Sequence, residues 1–129
     1  MTLRSDATNR EVKAASRADR MAVKESHHLK RYGRLDDPGR ARRLSRLHAE
    51  LLTQVADTRV LLISFRAGQL LKEHQVSHNI LVQTLQGTVE FRTAEKSVVL
   101  RPGMILQLDA NISHNVLAQT EAILLVTRL

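Results

Sequence analysis

The chain has 129 residues, 43% of them hydrophobic and 26% charged, with a net charge of +7 and no cysteine. This is one domain's worth of chain, with enough apolar residues for a modest core. Without cysteine, disulfides and thiolate metal sites are excluded, so a bound metal has to be held by His, Asp, Glu or amide oxygen.

No apolar run near Met1 has the length of a signal peptide, and no segment approaches the roughly 20 apolar residues that cross a bilayer. The expectation is a soluble, cytoplasmic protein with no membrane partner. The charge is uneven: residues 1–50 hold 13 of the 20 Lys and Arg against 7 of the 13 Asp and Glu, a balance of +6, and the remainder is nearly neutral at +1.

Residues 1–37 form a basic arm in which Val12, Met21, Val23 and Leu29 make no continuous apolar stripe. Such a segment cannot bury enough surface to offset the entropy of ordering, so it is expected to be partly disordered, with a frayed helix allowed between about Thr8 and Arg31. A solvated extension is the plain reading; nucleic acid bound through residues 1–35 is the functional one. His27 and His28 are adjacent and diverge on a helix or a strand, which argues against a metal site there.

Asp36-Asp37-Pro38-Gly39 marks a boundary, and residues 38–129 are expected to form the folded domain. Asp37 suits a helix cap and Pro38 a first turn. Leu44, Leu47, His48, Leu51, Leu52 and Val55 recur at helical spacing, which predicts a short leading helix over about 38–55 with His48 on its packing side. The alternative is a strand over Leu51 to Val55, turned at Ala56 to Arg59 onto Val60.

From Val60 the chain reads as eight short strands: Val60 to Phe65, Leu70 to Val76, Ile80 to Leu85, Thr88 to Arg92, Ser97 to Leu100, Ile105 to Leu108, His114 to Ala118 and Ala122 to Thr127. Spacing of about ten residues between turn signals argues for an all-β sandwich or barrel. Ile80-Leu81-Val82 and Ile123-Leu124-Leu125-Val126 are apolar on both strand faces, so both faces should be covered, one of them by the leading helix or by a second subunit of a homodimer.

Two stretches carry the chemistry. In the first, Gly68 is followed by five residues and His74, and later by Gly87; in the second, Gly103 is followed by five residues, Asp109-Ala-Asn111, two residues and His114. These resemble the two sequence motifs of the cupin family over roughly Val60 to Leu129. The resemblance implies a single jelly-roll β-barrel that gathers both motifs into one cavity, and dimerisation is common in such domains.

The spacing frame is kept but the family's ligands are depleted. Val76 stands in place of a second histidine and Ile80 in place of the glutamate, while Asp109 and Asn111 replace a proline and a glycine. Carried over, the resemblance gives His74 and His114 as metal ligands, with His78 as a tentative third and Fe, Mn, Ni, Zn or Cu as the divalent transition metal. Gln83, Gln107 and Asn115 add only weak amide donors. Val76 and Ile80 make that wall apolar, which favours a small organic ligand bound by His74, Val76, Ile80 and His114.

Lys72 shares strand parity with His74, whereas Glu73 should point outward. No Ser-His-Asp order, phosphate loop or paired-carboxylate arrangement is present. Three readings follow: a binding or sensing module for a small molecule, a metal-dependent enzyme of dioxygenase or isomerase type using His74 and His114, and a nucleic-acid-associated regulator acting through the basic arm.

Overall fold

The computed structural model describes residues 22–24, 28–37 and 47–129. Its strands are β1 (Ala22–Lys24), β2 (Lys30–Tyr32), β3 (His48–Val55), β4 (Thr58–Phe65), β5 (Leu70–His74), β6 (Ile80–Gln86), β7 (Val89–Thr93), β8 (Ser97–Leu100), β9 (Ile105–Leu108), β10 (His114–Ala118) and β11 (Ala122–Arg128). Every ladder is antiparallel. One sheet has the order β3-β4-β11-β6-β9 and the other β5-β10-β7-β8, with β1 and β2 forming a separate pair. The all-β barrel expectation is borne out, and each of the eight expected strands is present within two residues of its expected ends.

Alternation explains how the two sheets pack. In β10, His114, Val116 and Ala118 are buried while Asn115 and Leu117 are half-buried, and β6 alternates likewise at Ile80, Val82 and Thr84. Successive side chains point to opposite faces, so each strand feeds one row into the core. Phe65, Val82, Val89, Phe91, Leu100, Val116, Ala122 and Leu124 form its centre. Each fully buried Val, Leu or Phe contributes about 1.5–3 kcal/mol of transfer free energy.

The expected helix over 38–55 is corrected in its second half, where His48–Val55 is strand β3, paired with β4. Residues 38–46 lie outside the described residues. The ladder carries a register shift between Leu51 and Thr53, which face Leu61 and Val60. This bulge interrupts period-two alternation, so the leucines fall at intervals that imitate helical spacing. Pairing with β4 then overrides local propensity. Val55 faces Thr58, leaving Ala56 and Asp57 as the turn, with Ala56 at φ 52°.

The arm is described only in part. Of the helix allowed between Thr8 and Arg31, the described residues Ala22–Lys24 and Lys30–Arg31 lie instead in the β1–β2 ladder, where Lys24 faces Lys30; residues 1–21 and 25–27 lie outside the described residues. On the outer face of the larger sheet, Leu62, Ser64 and Ile123 are closed from solvent within one chain, so their burial needs no second subunit. Among the described residues no helix is long and apolar enough to cross a membrane.

At the turn between β6 and β7, Gly87 has φ +79° and lies against the backbone of Glu121 and Ala122, where a Cβ would collide with the Glu121 carbonyl. A glycine is required there by both conformation and space.

Candidate functional site

Between the sheets lies a cavity of about 100 Å³. β4 lines it with Leu61 and Ile63, β6 with Ile80 and Val82, β11 with Leu124 and Val126, and the facing sheet with Leu71, Phe91 and Val116. Its polar contributions come from His74, His114 and Arg128. The volume is below the range of about 300–1,000 Å³ typical of drug-sized ligands and near the size at which an apolar cavity accepts a benzene-like molecule.

His74 and His114 are register partners on β5 and β10. Their ring centroids are 4.3 Å apart with the planes inclined by 58°. The other side of His114 is stacked on Phe91, with centroids at 5.1 Å and planes 13° apart.

Each imidazole is tied to the backbone two residues before it. His74 Nδ1 is 2.8 Å from the Lys72 carbonyl oxygen and His114 Nδ1 is 2.9 Å from that of Ile112. A carbonyl only accepts, so Nδ1 carries the proton in both rings and donates it. In the neutral imidazole Nε2 is then an acceptor, and it is the ring nitrogen left for the cavity. Burial pushes the His114 pKa down, opposed by the Ile112 carbonyl and assisted by nearby His74. His114, only 3% exposed, is therefore held in the neutral form.

The position of His74 depends on a bulge. Along the β5–β10 ladder His114 faces His74 but Val116 faces Leu71, so Lys72 and Glu73 together oppose Asn115. Leu71 and His74, three residues apart, both line the cavity, while Lys72 and Glu73 are both exposed. The parity that grouped Lys72 with His74 is thereby corrected, because the extra residue resets the alternation. Outside the barrel Ser113 Oγ donates to Glu73 Oε2 at 2.6 Å, linking the neighbours of the two histidines.

The second motif's loop is anchored to the first. Asn111 N donates to Val76 O at 2.7 Å, and Ala110 N to Asn79 Oδ1 at 2.8 Å. Asn111 takes φ 65° at the position where the family motif has glycine. Asparagine is among the residues that best tolerate this left-handed conformation, so the substitution keeps the turn.

The structure thus brings together His74, Val76, Ile80 and His114 around one cavity. His78 is not among the lining residues; its Nδ1 is 3.3 Å from Ser77 Oγ. Gln83, Gln107 and Asn115 do not line the cavity either. Among the described residues no group of three or more His, Asp or Glu is placed to hold a metal. Two imidazoles amid valine, isoleucine and leucine do not fit a centre that needs three or four protein ligands. His48, expected as a packing histidine, is half-buried on β3 with Nε2 3.3 Å from Glu50 Oε1. Sequence reading missed Phe91, Leu71 and Arg128. Arg128 was accessible in principle, since it continues the inward row Leu124, Val126 at period two.

No family model matches the chain, and no curated protein matches it. Solved structures do. A cupin superfamily protein from Desulfitobacterium hafniense DCB-2 superposes with a TM-score of 0.62 at 21% identity, over 66% of this chain and 78% of that one. A cupin 2 conserved barrel domain protein from Leptotrichia buccalis gives 0.61 at 26% identity, over 66% of this chain and 41% of that one. KdgF from Halomonas sp. gives 0.59 at 16% identity, over 66% and 82%. With two packed antiparallel sheets, a spaced Gly68-to-His74 and Gly103-to-His114 frame converging on one cavity, and these structural matches, the chain has the cupin fold.

Proposed function

We propose that the barrel is a binding module for one small, mostly apolar molecule that presents a hydrogen-bond donor to His74 and His114. The observation that carries this reading is the pair of imidazoles, each with Nδ1 tied to backbone, in the wall of a cavity of about 100 Å³ that is lined, Arg128 apart, by apolar side chains. Apolar contact supplies the affinity, and the fixed acceptors supply orientation. A ligand without a donor leaves the Nε2 acceptors it covers unsatisfied, which costs about 1–3 kcal/mol and so discriminates against it.

The test is a titration of the full chain with isobutanol and isobutyramide, followed by methyl and imidazole-nitrogen NMR. The expected result is saturable shifts at Val82, Val116 and the two histidine rings, abolished by Val82→Phe, which fills the cavity. Absence of shifts at these groups in folded protein would overturn the reading. A parallel titration with Zn²⁺ and Mn²⁺ separates the metal-dependent alternative: near-stoichiometric binding that disappears in His74→Ala/His114→Ala would replace the binding module with a metal centre.

A further inference from the structure

We infer that Glu73 and Ser113, which do not line the cavity, act as a clasp that holds His74 in line with His114 and so sets how well the cavity binds; the effect on binding rests on the binding-module reading. His74 is the last residue of β5, and β5 is an edge strand paired only with β10. Its ladder pairs His114 with His74 and Val116 with Leu71, and between them Lys72 and Glu73 share Asn115. Lys72 and Glu73 are exposed, and Leu71 and His74 are only half-buried. Register is strongly specified where one strand face is buried and weakly where it is not, so apolar packing alone holds the end of β5 weakly.

The clasp supplies what burial does not. Ser113 Oγ donates to Glu73 Oε2 at 2.6 Å, the short separation of a hydroxyl bonded to a carboxylate. Glu73 immediately precedes His74 and Ser113 immediately precedes His114. The bond therefore joins the two strands beside the pair whose rings are 4.3 Å apart. Two residues beyond His74, Val76 O accepts from Asn111 N at 2.7 Å. Asn111 and Ser113 thus grip the chain on both sides of His74. The first bond is made by backbone; the second is made by two side chains and is the part of the grip that residue identity specifies.

The grip reaches the imidazole through the bulge. His74 Nδ1 is tied to the carbonyl of Lys72, which is itself a bulge residue, so a shift of the bulge turns the ring with it. Fixing Glu73 fixes the direction of Nε2 before a ligand arrives. The ligand then does not bear the entropy of ordering the ring, which is how a positioning pair outside a cavity raises affinity inside it.

The experiment measures ring alignment and affinity together on the full chain, in wild type, Ser113→Ala, Ser113→Thr and Glu73→Ala. Nuclear Overhauser contacts between the His74 and His114 rings report alignment, and titration with isobutanol, followed at the Val82 and Val116 methyls, reports binding. In Ser113→Ala and Glu73→Ala the ring contact is expected to weaken and the affinity to fall about threefold to fivefold, the range of an exposed charged contact, while the contact of His114 with Phe91 persists. Ser113→Thr keeps the hydroxyl and should keep both properties. A merely structural bond would lower the urea midpoint and leave the ring contact of the folded molecules unchanged. Ring contact and affinity that survive in Ser113→Ala and Glu73→Ala, or that are lost equally in Ser113→Thr, would overturn the clasp and leave the binding module standing. Failure of isobutanol to shift the wild-type methyls would instead overturn the binding module, and the ring contact would still decide whether the clasp holds His74.

Discussion

His74 and His114 sit directly opposite one another across the β5–β10 ladder, and the two-against-one bulge at Lys72 and Glu73 is what turns His74 into the cavity beside its partner. In a regular strand Leu71 and His74 would lie on opposite faces. Deleting Lys72 should therefore restore one-to-one pairing and keep the His74 ring in the cavity, since Leu71 and His74 are then two residues apart and share a face. The expected outcome is a folded protein in which nuclear Overhauser contacts between the His74 and His114 rings persist, as do those between His114 and Phe91. Loss of the first contact, the result of deleting a residue from a strand with no bulge, would show that the bulge does not lie at Lys72 and Glu73.

The two histidines differ in what they do for stability. His114 is buried between Phe91 and His74, whereas His74 is only half-buried. His114→Ala leaves a cavity and an unstacked phenylalanine, and is expected to cost about 2–4 kcal/mol. His74→Ala should cost about 1 kcal/mol, in the range of an ordinary substitution. Urea unfolding midpoints check the order; an equal or larger loss for His74→Ala would contradict the packing described.

Much of the fold was legible because period-two alternation survives in β6, β7 and β10, and because glycine and Pro-Gly punctuation marks the turns between strands. The positions of His74 and His114 followed from motif spacing, which a barrel converts into proximity. Bulges were the obstacle. At Leu51 to Thr53 one made strand β3 resemble a helix, and at Lys72 and Glu73 another reversed the facing of a residue next to the site. A bulge is set by cross-strand register, which no local pattern encodes. Arg128 escaped for another reason: near the end of an apolar strand a charged residue reads as the point where the chain meets solvent.

His114 makes stability depend on pH in a defined direction. Burial, then the proximity of His74, hold its folded pKa below the ordinary value of 6.5, against the opposing effect of the Ile112 carbonyl. Above 6.5 the residue is neutral in folded and unfolded chains and carries no penalty. As the pH falls below 6.5 the unfolded chain takes up the proton first, so stability declines until native His114 is itself protonated. Below about pH 6.5 the wild-type unfolding free energy should rise with pH and then level off, and His114→Phe, which can stack on Phe91, should flatten that rise. An unchanged slope in the variant would assign the dependence to another group.

Backbone conformation gives an ordered set of stabilities that tests the turns independently of the site. Gly87→Ala combines positive φ with a Cβ that would collide with the Glu121 carbonyl oxygen, a backbone atom that cannot move without shifting the start of β11. Its cost should be the sum of left-handed strain, about 1–2 kcal/mol, and overpacking, about 1–3 kcal/mol. Gly68 has φ +85° but open space around it, so Gly68→Ala should cost only the first of these, about 1–2 kcal/mol. Ala56 reverses the test, because an alanine already occupies φ 52° in the β3–β4 turn. Replacing it with glycine removes the steric penalty while loosening the unfolded chain, and the net gain should be up to about 1 kcal/mol. Denaturant unfolding of the three variants should rank Ala56→Gly above wild type, Gly68→Ala below it and Gly87→Ala lowest. If Gly87→Ala were as stable as Gly68→Ala, the close approach of the β6–β7 turn to Glu121, and with it the seating of β11 in the larger sheet, would be wrong.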